Sequence, residues 1–207
     1  MSVKLITGTP ASGEAVIDTN GCLSTFESLP QYPAAGGFYS VGGQTTAAVA
    51  ASLAASTNLM SARMSAGSSR KAYVVKLRLI IGVATVGTSA LVAGTLGLQR
   101  FTAQTPTGGT ARTANRHGEA LGTTTDITDI RDSNAALTGT APTWGTILGV
   151  TLVPLFISGG AMWMEWIYEP QVPDILAPGD GIGLRTQVVM PATQTWMYSY
   201  NMHWYEK

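Results

Sequence analysis

The last residues of the chain alternate between large apolar and polar side chains with a period of two. The large side chains stand at the even positions Trp196, Tyr198, Tyr200, Met202 and Trp204. Polar Ser199, Asn201 and His203 stand between them. Successive side chains of a β-strand point to opposite faces, whereas an α-helix repeats every 3.6 residues. Because aromatic residues also favour strands, this run predicts a β-strand with one buried face.

The same period appears in three earlier runs. Residues 58–66 set two methionines and an alanine against serine and arginine, and residues 73–83 carry an apolar side chain at every odd position. Residues 182–188 alternate in the same way, directly after the sequence Pro-Gly-Asp-Gly of residues 178–181. Proline and glycine at this spacing are typical of a turn. The three runs therefore predict three further strands, each with one buried face.

Residues 147–157 are apolar on both faces, unlike the alternating runs. Their length and their β-branched residues predict a central strand of a sandwich. Pro154 lies within this run and cannot donate a ladder hydrogen bond. It therefore indicates a sheet edge, a bulge or a break in the strand.

Residues 162–169 predict a strand that carries an aromatic ring on each face. One face has the apolar residues Met162, Met164, Trp166 and Tyr168. The opposite face has Trp163 together with Glu165 and Glu169. A tryptophan on a charged face is typical of a protein interface, where aromatic residues are enriched. Trp163 and Glu165 are therefore candidate interface residues.

About eight such strands, separated by glycine, threonine and proline turns and without a recurring amphipathic helix, predict an all-β fold. We expect an antiparallel β-sandwich with jelly-roll topology, formed by residues 58–207. Residues 1–57 are expected to form an extended N-terminal arm or lead-in. Within them, the alanine-rich residues 44–56 lack a charged face, and the sequence leaves an extended segment and a short helix both open.

The two signs of charge are separated along the chain. Residues 28–118 hold eight basic residues and no acid, whereas residues 119–206 hold nine acids and two arginines. These segments either pair within the fold or bring basic and acidic surfaces of neighbouring subunits together. A basic loop carrying Arg112 and Arg116 that touches nucleic acid is a third option. The zero net charge of the whole chain argues against a general nucleic-acid binder.

Residues 79–99 are uncharged and have the length of a transmembrane helix, which needs about 20 apolar residues. Four glycines and several hydroxyl residues interrupt them, and Gly87-Thr88-Ser89 is typical of a turn between two strands. We therefore expect two strands and no membrane association.

No catalytic or metal motif emerges from the sequence. Asp126, Asp129 and Asp132 are spaced by three, whereas calcium loops place ligands at every second residue around a sharp glycine turn, so we expect these acids to cap turns. Glu165 and Glu169 would stand about 13 Å apart on a strand, too far for paired acid–base work. We expect no enzyme activity, no cofactor and no metal.

Several segments carry a resemblance to a known family. They begin with the strand of residues 58–66 and the basic, apolar strand of residues 70–82, followed by a long polar loop with Arg112 and Arg116. Next come Thr128-Asp-Ile-Arg-Asp-Ser-Asn-Ala-Ala-Leu137, the stretch from Ile175 to Thr186, and an aromatic strand with the closing Trp204-Tyr-Glu. In these segments, and in its small-residue-rich and cysteine-poor composition, the chain resembles a family of small bacteriophage virion structural proteins. The resemblance covers roughly residues 58–206.

The resemblance implies a jelly-roll subunit on the exterior of a capsid or in a tail, without enzyme chemistry. On that basis we expect a capsid decoration or cement protein that binds the major capsid protein as a homotrimer. Nucleic acid and membrane are not expected as partners. The residues expected at its interfaces are Trp163, Glu165, Arg112 and Arg116.

Three alternatives remain open at this stage. One is a tail or fibre component that attaches to a host-surface glycan through exposed aromatic residues such as Trp163. The second is a hydrolase, which predicts Asp126, Glu165 and His203 within hydrogen-bond reach of one another. The third is a protein anchored in a membrane by residues 79–99.

Overall fold

A computed structural model describes residues 37–45, 47–85, 94–117, 125–153, 163–192 and 194–207, together with the backbone of residues 15–17 and 23–25. Within these residues the protein forms strands and turns. The strands in chain order are β1 Ala15–Ile17, β2 Leu23–Thr25, β3 Phe38–Gln44, β4 Asn58–Arg63, β5 Ala72–Thr85, β6 Gly94–Thr102, β7 Pro106–Thr107, β8 Thr110–Ala111, β9 Asn115–His117, β10 Arg131–Asp132, β11 Thr138–Gly139, β12 Thr143–Val153, β13 Trp163–Tyr168, β14 Asp174–Leu176, β15 Gly181–Thr186 and β16 Thr195–Glu206.

The chain divides into two compact units, Met1–Pro33 and Ala34–Lys207. The first unit contains β1 and β2, which pair antiparallel. The second contains all the other strands. The expected arm of residues 1–57 therefore extends too far, because β3 pairs along its length with β16 inside a sheet. Adjacent Gly42 and Gly43 interrupt the alternation of β3, which hides this strand in the sequence.

The unit Ala34–Lys207 is a sandwich of two antiparallel sheets. The first sheet has the order β13-β5-β16-β3-β9, with β14 also paired to β5, and the second has the order β12-β6-β15-β4-β10-β8. Eight of these strands are long, namely β3, β4, β5, β6, β12, β13, β15 and β16. When they are renumbered one to eight in chain order, the first sheet has the order 6-3-8-1 and the second has the order 5-4-7-2. This is the strand order of a jelly roll. The predicted β-sandwich is confirmed.

The core lies between the two sheets and follows the predicted alternation. In β16 the five large side chains at even positions are all buried, and Trp196 and Trp204 are among the largest fully buried side chains. From the second sheet, Met60 and Ala62 of β4 and Leu184 of β15 pack into the same core. Strands with one apolar face thus bury that face against each other, as the period of two requires.

The alternation of β5 changes phase part of the way along the strand. Leu77, Leu79 and Ile81 are buried, as predicted. Tyr73 instead faces outward and stacks on Tyr205 with ring centroids 4.7 Å apart. A register shift in the pairing of β5 with β16, next to His203, separates the even-numbered inward residues Ala72 and Val74 from the odd-numbered ones that follow. The prediction that every odd residue of this run is buried is therefore wrong at its beginning.

Strand β12 lies at the edge of the second sheet, so its prediction as a central strand is wrong. Its outward side chains Ile147, Val150 and Leu152 are 46%, 49% and 56% exposed. Apolar residues on both faces suggested burial on both sides, but here the outer face remains exposed. The edge position of β12 agrees with the sheet edge that the proline indicates, while Pro154 itself lies outside the described residues.

Two other ambiguous segments are now defined. After β3, Val49 forms a bridge to Trp196, and Ser52 and Ser56 have positive φ angles of 58° and 67°, so the described part of residues 44–56 is not a helix. Residues 79–85 and 94–99 belong to strands of different sheets, whereas Gly87-Thr88-Ser89 lies outside the described residues. Among the described residues, no helix has the length and apolar character needed to cross a membrane.

The connection between β6 and β12 covers one edge of each sheet. Its short strand β9 pairs with β3, and β10 pairs with β4 and with β8. The edges at β12 and β13 have no further strand beside them among the described residues. Unpaired sheet edges favour association with another chain, so the two sides of the sandwich differ.

Candidate interaction surface on the first sheet

The separated charges meet inside the fold. Among the described residues, each of the seven ion pairs joins a cation from residues 28–118 to an acid from residues 119–206. The pairs are Arg63–Asp129, Arg70–Asp126, Arg70–Glu206, Lys76–Glu169, Arg78–Glu165, Arg100–Asp180 and Arg112–Asp132. The jelly roll brings the two segments side by side, so pairing within the fold accounts for the charge separation.

The three aspartates spaced by three residues are each held by an arginine, as the pairs with Arg70, Arg63 and Arg112 show. Asp126 also accepts a hydrogen bond from the Ser68 hydroxyl. The Arg70 guanidinium, which hydrogen-bonds this carboxyl, lowers the pKa of Asp126. Among the described residues, no group of three or more histidine, cysteine or acidic side chains is placed to hold a metal ion. The aspartates therefore anchor the connection between β6 and β12.

Arg112 connects the two sheets. Its guanidinium donates to Asp132 Oδ2 at 2.6 Å and to the carbonyl oxygen of Gln44 at 2.7 Å. Asp132 is only 1% exposed and also accepts a hydrogen bond from the Tyr200 hydroxyl at 3.1 Å. Arg112 thus neutralises a buried carboxylate, which gives it a structural role within the fold.

Arg116 lies on β9, paired in register with the buried Tyr39. It packs beside Gly37, where an added Cβ would stand 2.6 Å from Arg116 Nε. Four strand spacings, or about 19 Å, separate β9 from β13 at the opposite edge of the first sheet. The structure therefore brings Trp163 and Glu165 together but places Arg112 and Arg116 elsewhere.

Strand β13 has the predicted two-faced pattern. Met164, Trp166 and Tyr168 pack against the core, while Trp163 and Glu165 point away from it. Trp163 is 70% exposed. We call the side of the first sheet that points away from the core its outer face. It carries Trp163, Glu165 and Ile167 from β13, Lys76, Arg78, Ile80 and Gly82 from β5, Met197, Asn201 and His203 from β16, and Phe38 and Gly42 from β3.

A notch lies at one end of the outer face. Gly82 on β5 is the direct cross-strand neighbour of Trp163 on β13 and of Met197 on β16. No described atom stands within 4 Å of a Cβ added at Gly82. Because Met197 is 40% exposed, the glycine leaves an open space between two exposed apolar side chains. The sequence prediction does not contain this Gly82 notch, because the neighbours of Gly82 come from other strands.

An open groove of about 400 Å³ lies in the middle of the outer face. Its lining residues come from three neighbouring strands and are Lys76, Arg78, Glu165, Ile167, Asn201 and His203. Arg78 donates a hydrogen bond to Glu165, and Lys76 pairs with Glu169 at 3.2 Å. Both pairs are largely exposed to solvent, so each contributes little to stability. Their charges are available to a partner.

Aromatic rings occupy the other end of the outer face. Phe38 lies 5.4 Å from His117 and 5.7 Å from His203, measured between ring centroids. Ser40 Oγ and His117 Nε2 are hydrogen-bonded at 2.7 Å. Burial lowers the pKa of His203, and the nearby His117 and Lys76 lower it further. These rings add rigid apolar area beside the groove.

The three residues of the hydrolase alternative have different surroundings. Glu165 and His203 line the same groove, whereas Asp126 is bound by Arg70 and Ser68. The outer face as a whole combines exposed apolar rings, methionine and arginine with balanced charges. This composition is typical of the surfaces through which proteins bind one another. No family model, curated protein or solved structure matches the chain, so the outer face and the jelly-roll fold are the basis on which its function is argued.

Proposed function

We propose that the protein is a structural subunit of a bacteriophage virion, a capsid decoration or cement protein that binds the major capsid lattice from outside as a homotrimer. One observation carries the proposal. On the outer face of a hydrogen-bonded sheet, the exposed Trp163 and Ile167 flank Glu165, which is paired with Arg78, and Met197 is exposed two strands away. The proposed role is structural, without catalysis and without nucleic acid or membrane as a partner.

A sheet face suits repeated protein contacts for a physical reason. Its backbone is fixed by hydrogen bonds between the strands, so little conformational entropy is lost when a partner binds. Tryptophan and arginine are the residues that most often dominate binding energy at protein interfaces. Many identical weak contacts over a lattice then add up to strong attachment.

The fold supports the same proposal. A jelly roll is what the family resemblance implies, and two of the resembling segments have defined places in it. Residues 129–137 contain Asp129 and Asp132, both held by arginines, and residues 175–186 contain β15 in the second sheet. Since one fold serves many functions, the outer face carries the argument and the fold is secondary.

Cryo-electron microscopy of intact particles from the source, with this chain traced, tests the proposal. We expect density for the jelly roll on the capsid exterior at three-fold or quasi-three-fold positions. Density only in the tail would support an attachment role instead. Particles that lack the chain altogether would refute both.

A second candidate function is attachment of a tail or fibre to a host-surface glycan. The observation that favours it is the groove, where Asn201 and Glu165 supply hydrogen-bonding groups beside the apolar Ile167. Sugar rings bind to such combinations of polar and apolar side chains. Binding on a glycan array that Trp163→Ala abolishes would support this role, whereas an array without binding would oppose it.

A further inference from the structure

We infer that the outer face contacts a second copy of this chain, with the Trp163 indole of each copy inserted into the Gly82 notch of the other. This inference rests on the proposed structural role and names the partner of the same surface. It follows from the shape of the notch, from the exposure of Trp163, and from the charges beside them.

The notch has the dimensions of one aromatic ring. Trp163 and Met197 lie on strands two spacings apart, with Gly82 between them. Two strand spacings amount to about 10 Å. A ring placed midway would lie about 5 Å from each flanking side chain, which is within the range of stacked aromatic pairs. Any side chain larger than glycine at position 82 would occupy this space.

Trp163 is the matching projection. It is 70% exposed, although tryptophan has the largest apolar surface of any residue to bury. Projection and notch are direct cross-strand neighbours on one face. Two copies that meet through this face therefore insert their rings reciprocally, in the isologous contact of a two-fold axis.

The charges of the outer face are matched to a second copy. Lys76 and Arg78 are balanced by Glu169 and Glu165, so two such faces meet without net repulsion. Because both pairs are exposed, their charges can exchange partners across the contact at little cost. A surface that carries equal numbers of both signs is complementary to itself, which favours a second copy over a strongly charged partner.

Sedimentation velocity of the full chain, with two variants, tests the inference. We expect the wild type to sediment as an oligomer of its 21.6 kDa chain. Trp163→Ala removes the projection, and Gly82→Leu fills the notch. Each variant is expected to weaken self-association by about tenfold or more. Gly82 needs no unusual φ angle and its added Cβ meets open space, so the leucine variant is expected to fold.

Gly67→Ala is the matched control, because a Cβ at Gly67 also has no described atom within 4 Å but lies in a turn outside the first sheet. This control should associate like the wild type, and the thermal unfolding of every variant checks that it is folded. A wild type that stays monomeric up to about 100 µM would overturn the inference, as would Gly82→Leu associating normally. Either result would leave the proposed virion role standing. If the protein instead forms oligomers that depend on the notch but is absent from particles, only the virion role is refuted.

Discussion

Arg70 and Glu206 form an ion pair at 3.2 Å in which the carboxylate is fully buried. Glu206 is the penultimate residue of the chain, yet it also accepts hydrogen bonds from the backbone N–H of Asp126, the Thr125 hydroxyl and the indole N–H of Trp204. The C-terminal strand, the beginning of β5 and the connection that follows β9 are therefore joined at one charged group. Our first prediction concerns this group.

Replacing Glu206 with glutamine should destabilise the protein by about 1–3 kcal/mol. The buried carboxylate accepts charge-assisted hydrogen bonds from the Thr125 hydroxyl, the Asp126 N–H and the Trp204 indole, and the neutral amide weakens or loses them. Urea unfolding at neutral pH measures the change. Glu169→Gln breaks the exposed pair with Lys76 and is the matched control, for which we expect a change of at most about 0.5 kcal/mol. Equal effects of the two substitutions would contradict the buried network.

We expect the ion-paired Asp126 to make the protein less stable in acid. Its folded-state pKa is lowered, chiefly by the hydrogen bond from Arg70. A group with a lowered folded pKa stabilises the protein above its unfolded pKa of about 3.9, and that contribution is lost as the pH falls through the lower folded value. The free energy of unfolding of Asp126→Asn should therefore be lower than that of the wild type at pH 7, and the difference should shrink below pH 4. A difference independent of pH would exclude this linkage.

We expect His203 to cause a second pH dependence of stability, at higher pH than that of Asp126. Burial, His117 and Lys76 lower its folded-state pKa, while Glu169 acts in the opposite direction. The unfolded chain therefore binds more protons than the folded one below about pH 6.5, so stability falls as the pH drops toward the folded value. His203→Gln should flatten the unfolding free energy between pH 7 and pH 5. Titration of the His203 ring by NMR gives the folded pKa directly, and a raised value would refute the prediction.

The hydroxyl of Tyr198, on the first sheet, hydrogen-bonds to residues on the side of the second sheet, and a substitution can measure what this contributes to stability. Its hydroxyl lies 2.7 Å from the carbonyl oxygen of Leu59 and 2.9 Å from that of Ser133, both on the side of the second sheet. Tyr198→Phe keeps the ring but removes the hydroxyl donor, whereas the Leu59 carbonyl retains a hydrogen bond from the Ser133 N–H. The substitution should therefore cost about 1 kcal/mol. Urea unfolding measures the loss. Tyr73→Phe, on the outer face, serves as the control and should change stability by less than about 0.5 kcal/mol.

We expect the same substitution to have a large effect on stability at Trp196 and almost none at Trp163. Trp196 is 1% exposed and Trp163 is 70% exposed. Trp196→Ala should destabilise the fold by about 3–5 kcal/mol through the cavity it creates, whereas Trp163→Ala should leave stability within about 0.5 kcal/mol. Thermal unfolding of both variants decides the matter. A large loss in Trp163→Ala would show that this ring supports the fold.

The sequence alone was sufficient for the strands whose alternation is unbroken. In β16 and β13 the inward and outward residues are those predicted, including the exposed Trp163. The same reasoning failed at Tyr73, since a register shift between two strands depends on their pairing and leaves no mark in either sequence run. It also missed β3, because Gly42 and Gly43 provide no side chains from which to detect a period.

The candidate site was predictable only in part. Trp163 and Glu165 could be placed on one face of a strand, because a period of two fixes the faces. Their neighbours Arg78, Gly82 and Met197 come from strands far away in the chain, so their approach depends on the strand order of the sheet. The ion pairs show the same limit, since the charge separation is visible in the sequence but the pairing of Arg112 with Asp132 follows from the fold.

The connection between β6 and β12 has a consequence for how subunits can be arranged. It closes the sheets at β3 and β4 with strands of the same chain, while β12 and β13 have no further strand beside them in the described part of the protein. The side that the connection closes offers no unpaired long strand, and only the opposite side has the open edges of β12 and β13. Extra residues engineered into the closed side would leave those open edges unchanged, so the closed side is the natural place to display a peptide.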